Sequence, residues 1–140
     1  MLRPLRPYSI GAVVVTVALG AIGFLPLFGG PGYEHALATG LVAPSAAAIA
    51  TAIDVARGGS KSPLASVGRG VAAGLAFAAL ALLTALLHAV RVGICELWGA
   101  LLHFALTAGA GTVMGGAWGA ASGELVHVLV RRRGLRRVRL

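Results

Sequence analysis

Residues Gly70 to Val90 read Gly-Val-Ala-Ala-Gly-Leu-Ala-Phe-Ala-Ala-Leu-Ala-Leu-Leu-Thr-Ala-Leu-Leu-His-Ala-Val, with no lysine, arginine, aspartate or glutamate. An apolar run of about 18 residues or more, wound as a helix, crosses the ~30 Å hydrocarbon layer of a bilayer. Strands of a membrane barrel instead alternate apolar and polar residues over ~10-residue spans, and this stretch does not alternate. It predicts a membrane-spanning helix.

Working outward, apolar runs without lysine or arginine recur from Tyr8 to about Phe28 and from Tyr33 to Ala56. A fourth stretch, Trp98 to Val130, is 33 residues long. As a helix it would extend ~50 Å, more than a bilayer core needs. Its spanning part is therefore placed at 103–130, with the first turn or two, Trp98 to His103, in the outer interface or a re-entrant turn. The connections suit helices: Phe28-Gly-Gly-Pro-Gly32 is a tight turn and Arg57-Gly-Gly-Ser-Lys-Ser-Pro63 a polar loop. The expected fold is all-α, a membrane-embedded four-helix bundle with spans at about 8–28, 33–56, 70–90 and 103–130, forming one domain over residues 1–140.

Composition agrees. Of 140 residues, 58% are hydrophobic and 11% charged, and mean hydropathy is +0.90. A soluble domain carries roughly a quarter charged residues to cover its surface. The net charge of +8 does not point to nucleic acid, because the basic residues are not interleaved with aromatic or polar contacts on a folded face. Six arginines fall in the last ten residues and the others flank apolar runs. With the N-terminus inside, Arg3, Arg6, Arg57, Lys61, Arg69, Arg131, Arg132, Arg133, Arg136, Arg137 and Arg139 all lie on the cytoplasmic side, and Arg91 alone lies outside. By the positive-inside rule this orients the bundle with both ends in the cytoplasm. The expected location is a bacterial inner membrane, crossed several times. The terminal arginines act as a stop-transfer anchor and bind anionic headgroups. A cleaved signal peptide ending at Ala18-Leu19-Gly20 is the competing reading of the first segment. The apolar run continues through Leu27 without a polar region, which favours a retained helix.

The stretch Phe28-Gly-Gly-Pro-Gly-Tyr-Glu-His-Ala-Leu-Ala-Thr-Gly-Leu-Val-Ala-Pro44, together with Cys95-Glu96 ahead of a Gly/Ala-rich helix, resembles the opening membrane region of larger, uncharacterised multi-pass proteins of Gram-negative, delta-proteobacterial-type bacteria. The resemblance covers about two-thirds of the chain. It implies a bacterial membrane protein, a shortened relative or a separate subunit, and carries no activity and no functional residue.

The clearest motif is Gly111, Gly115, Gly119 and Gly123, widened by Gly116. Residues four apart share one helix face, and a face without side chains lets another backbone come close. This predicts a glycine-zipper packing face, whose partner is another helix of the chain or a second copy. Gly70 and Gly74 form a lesser version. Pro44 lacks an N–H and clashes with the carbonyl of Gly40, predicting a kink. Such a kink either shapes the bundle or frees a carbonyl for an ion or solute.

The ionisable residues divide into two groups. Glu34, His35, His88, Cys95, Glu96 and His103 lie on the outer side. Of these, His88, Cys95 and His103 are the candidates for a soft divalent metal, although their spacing fits no established motif. Asp54, Glu124 and His127 lie on the inner side as a candidate ion or proton site. The competing reading pairs Glu124 with Arg131 and Asp54 with Arg57. No hydrolase elbow, P-loop or dinucleotide fingerprint occurs, and no catalytic residue or cofactor is called. Three functions follow, in descending order. The first is a structural or accessory membrane subunit that assembles with itself or a larger complex through the glycine face. The second is a small transporter or channel near Pro44, and the last an enzyme using the outer His/Glu/Cys group.

Overall fold

The structure is a computed structural model that describes residues 6–28, 32–58, 62–93 and 96–132. In chain order the elements are α1 (Arg6–Ile22), α2 (Tyr33–Gly58), α3 (Pro63–Val92), α4 (Leu97–Phe104), a π turn (Ala105–Gly109) and α5 (Ala110–Arg132). No strand occurs among the described residues. Helices α2, α3 and the continuous rod Leu97–Arg132 are long and apolar enough to cross a membrane.

Three boundaries differ from the sequence reading. The first helix stops at Ile22 rather than Phe28. After Gly23 the backbone tightens into i→i−3 bonds, Phe24 N to Ala21 O at 3.2 Å and Leu25 N to Ile22 O at 2.9 Å. Pro26 then offers no N–H and disfavours helical geometry at the residue before it, and Leu27 takes φ 75°. At 17 residues, α1 extends only ~25 Å. The third helix begins at Pro63 instead of Gly70. Ser62 caps it, its Oγ accepting from Ala65 N at 3.3 Å, and Pro63 occupies the first turn, where its missing N–H costs nothing. The last helix is unbroken from Leu97, so Trp98 to His103 form helix rather than a re-entrant turn. The rod of 36 residues absorbs a π turn instead, a local widening that rotates the faces on either side relative to each other. Gly93, φ 87° and N–H bonded to Ala89 O at 2.8 Å, closes α3 in a conformation that suits glycine.

The bundle is held along two seams. Along the first, α5 lies on α2. A Cβ built on Gly115 would sit 2.6 Å from Pro44 O, one on Gly123 would sit 2.7 Å from Ala52 O, and one on Gly119 would collide with Ala48 O. Pro44, Ala48 and Ala52 are themselves spaced by four, so a row of glycines meets a row of small residues and backbone oxygens. Along the second, α5 lies on α3. Gly116 faces the backbone of Gly70 and Gly74, and a Cβ on Gly74 would come within 2.6 Å of Val113 Cα. The glycine face is thus occupied within the chain. Gly111 stands slightly off, its Cβ position 3.7 Å from the Pro44 ring.

Pro44 lies inside α2, which runs unbroken through it from Tyr33 to Gly58; the side of Gly40 is open. Helix α1 packs against α2 and α3 through Gly11, Val15 and Leu19. A Cβ on Gly11 would touch the Phe77 ring at 2.8 Å. The core joins Val15, Leu19, Ala43, Ala47, Phe77, Ala81, Phe104 and Ala108. Around the outside, Trp98, Leu102, Leu106, Met114 and Trp118 of the last rod are exposed apolar side chains, with both tryptophans more than three-quarters exposed.

Candidate functional site: the two polar ends of the bundle

The helices run up and down, so polar groups collect at two ends. At the basic end, Asp54 near the close of α2 receives two donors. Tyr8 Oη of α1 donates to Asp54 Oδ2 at 3.1 Å, and Arg69 Nη1 of α3 donates to the same oxygen at 3.3 Å. Arg69 keeps 44% of its side chain exposed against 14% for Asp54. The ion-pair partner of Asp54 is therefore Arg69, one helix away, rather than the neighbouring Arg57.

Glu124 of α5 is hydrogen-bonded by the Ser66 hydroxyl of α3, a contact in place of the expected pairing with Arg131. His127, one turn on, places Nδ1 3.2 Å from Ala56 O of α2. A carbonyl only accepts, so Nδ1 carries the proton here. Asp54, Glu124 and His127 are thus each tied to a different neighbour and do not form one constellation. The arrangement pins helix ends together, and the Arg69–Asp54 contact among them is charge-assisted, stronger than a neutral hydrogen bond.

At the opposite end the sequence grouped Glu34, His35, His88, Cys95, Glu96 and His103. His35 is fully buried, and its Nδ1 lies 3.0 Å from Phe28 O, so by the same reasoning Nδ1 donates. Its Nε2, left with a lone pair, has no hydrogen-bond partner among the described residues. The His88 ring stands 6.4 Å away, tilted by 48°, and meets Phe24 edge-on at 5.0 Å. The chain passes close here: a Cβ on Gly23 would collide with the His88 imidazole.

Arg91 closes this corner. Its Nη2 donates to Gly23 O at 2.6 Å, satisfying a carbonyl at the end of α1, while its guanidinium covers the Phe24 ring at 4.6 Å. His103 packs instead against Tyr33, ring centroids 5.6 Å apart. Among the described residues no group of three or more His, Cys, Asp or Glu is placed to hold a metal. Cys95 lies outside the described residues.

A third feature has no counterpart in the sequence reading. Between α1 and α3 runs a groove of about 530 Å³, lined by Ala12, Ala73, Ala76, Phe77 and Leu80, with Tyr8 and Arg69 at one end. Tyr8 opens the first apolar run and Arg69 interrupts Ser66–Gly70, but nothing in either neighbourhood announces that Asp54 joins them. Ser66 was equally silent, because its partner is 58 residues away. No family model, curated protein or solved structure matches this chain.

Proposed function

We propose that the protein is a structural or accessory subunit of a membrane, most consistent with a bacterial inner membrane and with both ends in the cytoplasm. Length and apolarity of three helices support the embedding. The clustering of Arg6, Arg57, Arg69, Arg131 and Arg132 at one end supports the orientation. The observation that carries the subunit reading is the closed interior. Where a transporter keeps a wet site at mid-membrane, α5 here presses glycine backbone onto α2 and α3 at Gly115, Gly116 and Gly119. A solute path along that axis has no room. Because those glycines are filled from within, assembly uses the outer faces of the bundle rather than the glycine row.

The test has two arms. Solubilised from its native membrane, the tagged chain should migrate in a complex larger than its own mass, with a reproducible partner or a second copy of itself. Reconstituted alone in vesicles, it should pass ions and small solutes no faster than empty vesicles. Saturable flux by the protein alone would overturn the reading. A transporter remains the second reading on one observation, the buried Nε2 of His35 beside His88, without a hydrogen-bond partner among the described residues. It requires flux in wild type that His35→Ala removes.

A further inference from the structure

We infer that the α1–α3 groove is a binding site for one acyl chain of an anionic phospholipid, with the lipid phosphate held at its Arg69 end. The inference rests on the membrane-embedded reading above. It is independent of whether the chain works as a subunit or a transporter.

Along α3 the lining residues Ala73, Ala76, Phe77 and Leu80 follow Arg69 by four, seven, eight and eleven positions. At 1.5 Å per residue the groove runs ~16 Å down the helix from the arginine, parallel to the helix axis. Half of a ~30 Å hydrocarbon core is ~15 Å, so the groove spans one leaflet, in the direction lipid chains take. On α1, Ala12 lies one turn below Tyr8 and lines the same space. Small side chains on both walls leave the volume, and Phe77, fixed against Gly11, forms its floor.

The polar end stands at the level of the headgroups. Arg69 lies six residues from the start of α3, Tyr8 in the first turn of α1, and Asp54 four residues before the end of α2. Tyrosine is enriched at this depth because its ring is apolar and its hydroxyl wet. Asp54 binds both donors and so fixes the arginine beside the groove mouth. The surrounding end carries Arg6, Arg57, Arg69, Arg131 and Arg132 against Asp54 and Glu124 among the described residues, a positive field that selects an anionic headgroup over a zwitterionic one. Toward its other end the groove is lined by Phe77 and Leu80, which carry no charge.

Native mass spectrometry of the full chain from nanodiscs tests this with matched chains on phosphatidylglycerol and phosphatidylethanolamine. Wild type should retain phosphatidylglycerol preferentially. Arg69→Gln should reduce that preference about fivefold, the contribution of one basic side chain near a charged bilayer, and Ala76→Phe should abolish retention by filling the groove. Equal retention of the two lipids by wild type, or undiminished retention by Ala76→Phe, overturns the inference. Should a variant fail to fold, a photoreactive phenylalanine analogue at Ala76 replaces it. Cross-linking to phospholipid supports the site, and cross-linking to a second polypeptide overturns it. Lipid retention by a chain that purifies without a protein partner would sink the subunit reading while leaving this one standing.

Discussion

The two sides of α3 present opposite solutions to packing in the same helix. Toward α5, Gly70 and Gly74 bring backbone against backbone, so closely that a single added carbon would overlap Gly116. Toward α1, Ala73, Ala76 and Leu80 leave a groove of about 530 Å³. Small residues occur on both faces, Gly70 and Gly74 on one and Ala73 and Ala76 on the other. What differs is the register of the partner. Helix α5 offers glycines at every fourth position, and its backbone enters the space. Helix α1 is short, ends at Ile22, and faces α3 along the groove with Ala12 and Tyr8. Small side chains therefore do not guarantee close packing; they permit it, and the partner decides.

The largest expected effect comes from breaking the tight side. Gly119→Leu puts a side chain into the Ala48 carbonyl, which is backbone and cannot rotate away. Overpacking at that level should cost ~3 kcal/mol or more, measured by reversible SDS unfolding in mixed micelles followed by circular dichroism. Gly119→Ala should cost ~1–3 kcal/mol by the same assay, while Gly111→Ala, with 3.7 Å to the Pro44 ring, should not. Equal effects at 111 and 119 would mean that α5 is not seated on α2 in this register.

Smaller effects probe the polar ties that hold the sides together. Ser66→Ala leaves Glu124 without the hydroxyl that meets it and should lower stability by ~1–3 kcal/mol. A null result would separate α3 from α5 at that end. On the open side, Asp54→Asn weakens a pair whose arginine is 44% exposed, so solvent screening should hold the loss below ~1 kcal/mol. A much larger loss would mean that the groove mouth is sealed. Smallest, and of opposite sign, Gly68→Ala meets nothing within 4 Å. It should raise stability by roughly 0.5 kcal/mol through helix propensity.

Much of the architecture was legible in the chain, and the reason is specific. The first three apolar runs lack lysine and arginine in their interiors, and a long, largely apolar run has few folded alternatives to a helix. A period of four sets Gly111, Gly115, Gly119 and Gly123 along one face of a helix whatever lies opposite, but what that face meets is not readable from it. The ends of helices were less legible. Ser62-Pro63 is a helix start signal standing in what reads as a loop, and it lengthened α3 by two turns. Pro26 stands inside an apolar run, and it shortened α1. In both places a local backbone rule overrode hydropathy.

The candidate sites fared differently because they are made of long-range pairs. Asp54 chose Arg69 over Arg57, and Glu124 chose Ser66 over Arg131, each reaching across to another helix rather than along its own. His88 and His103 were grouped by depth, yet His88 faces His35 and Phe24 while His103 faces Tyr33. Depth along a helix follows from counting residues; rotation about the axis relative to neighbours does not.

The sequence by itself determined that the chain is helical, where its apolar segments lie, and which end collects arginine, since these depend on local composition and on the 1.5 Å rise of a helix. Only the tertiary structure decided that the glycines face inward to α2 and α3, which acid meets which donor, and that a groove remains beside Arg69. Those outcomes depend on how four helices rotate against one another. That rotation is fixed by the sum of many contacts between residues far apart in the chain, none of which is strong enough alone to be read in advance.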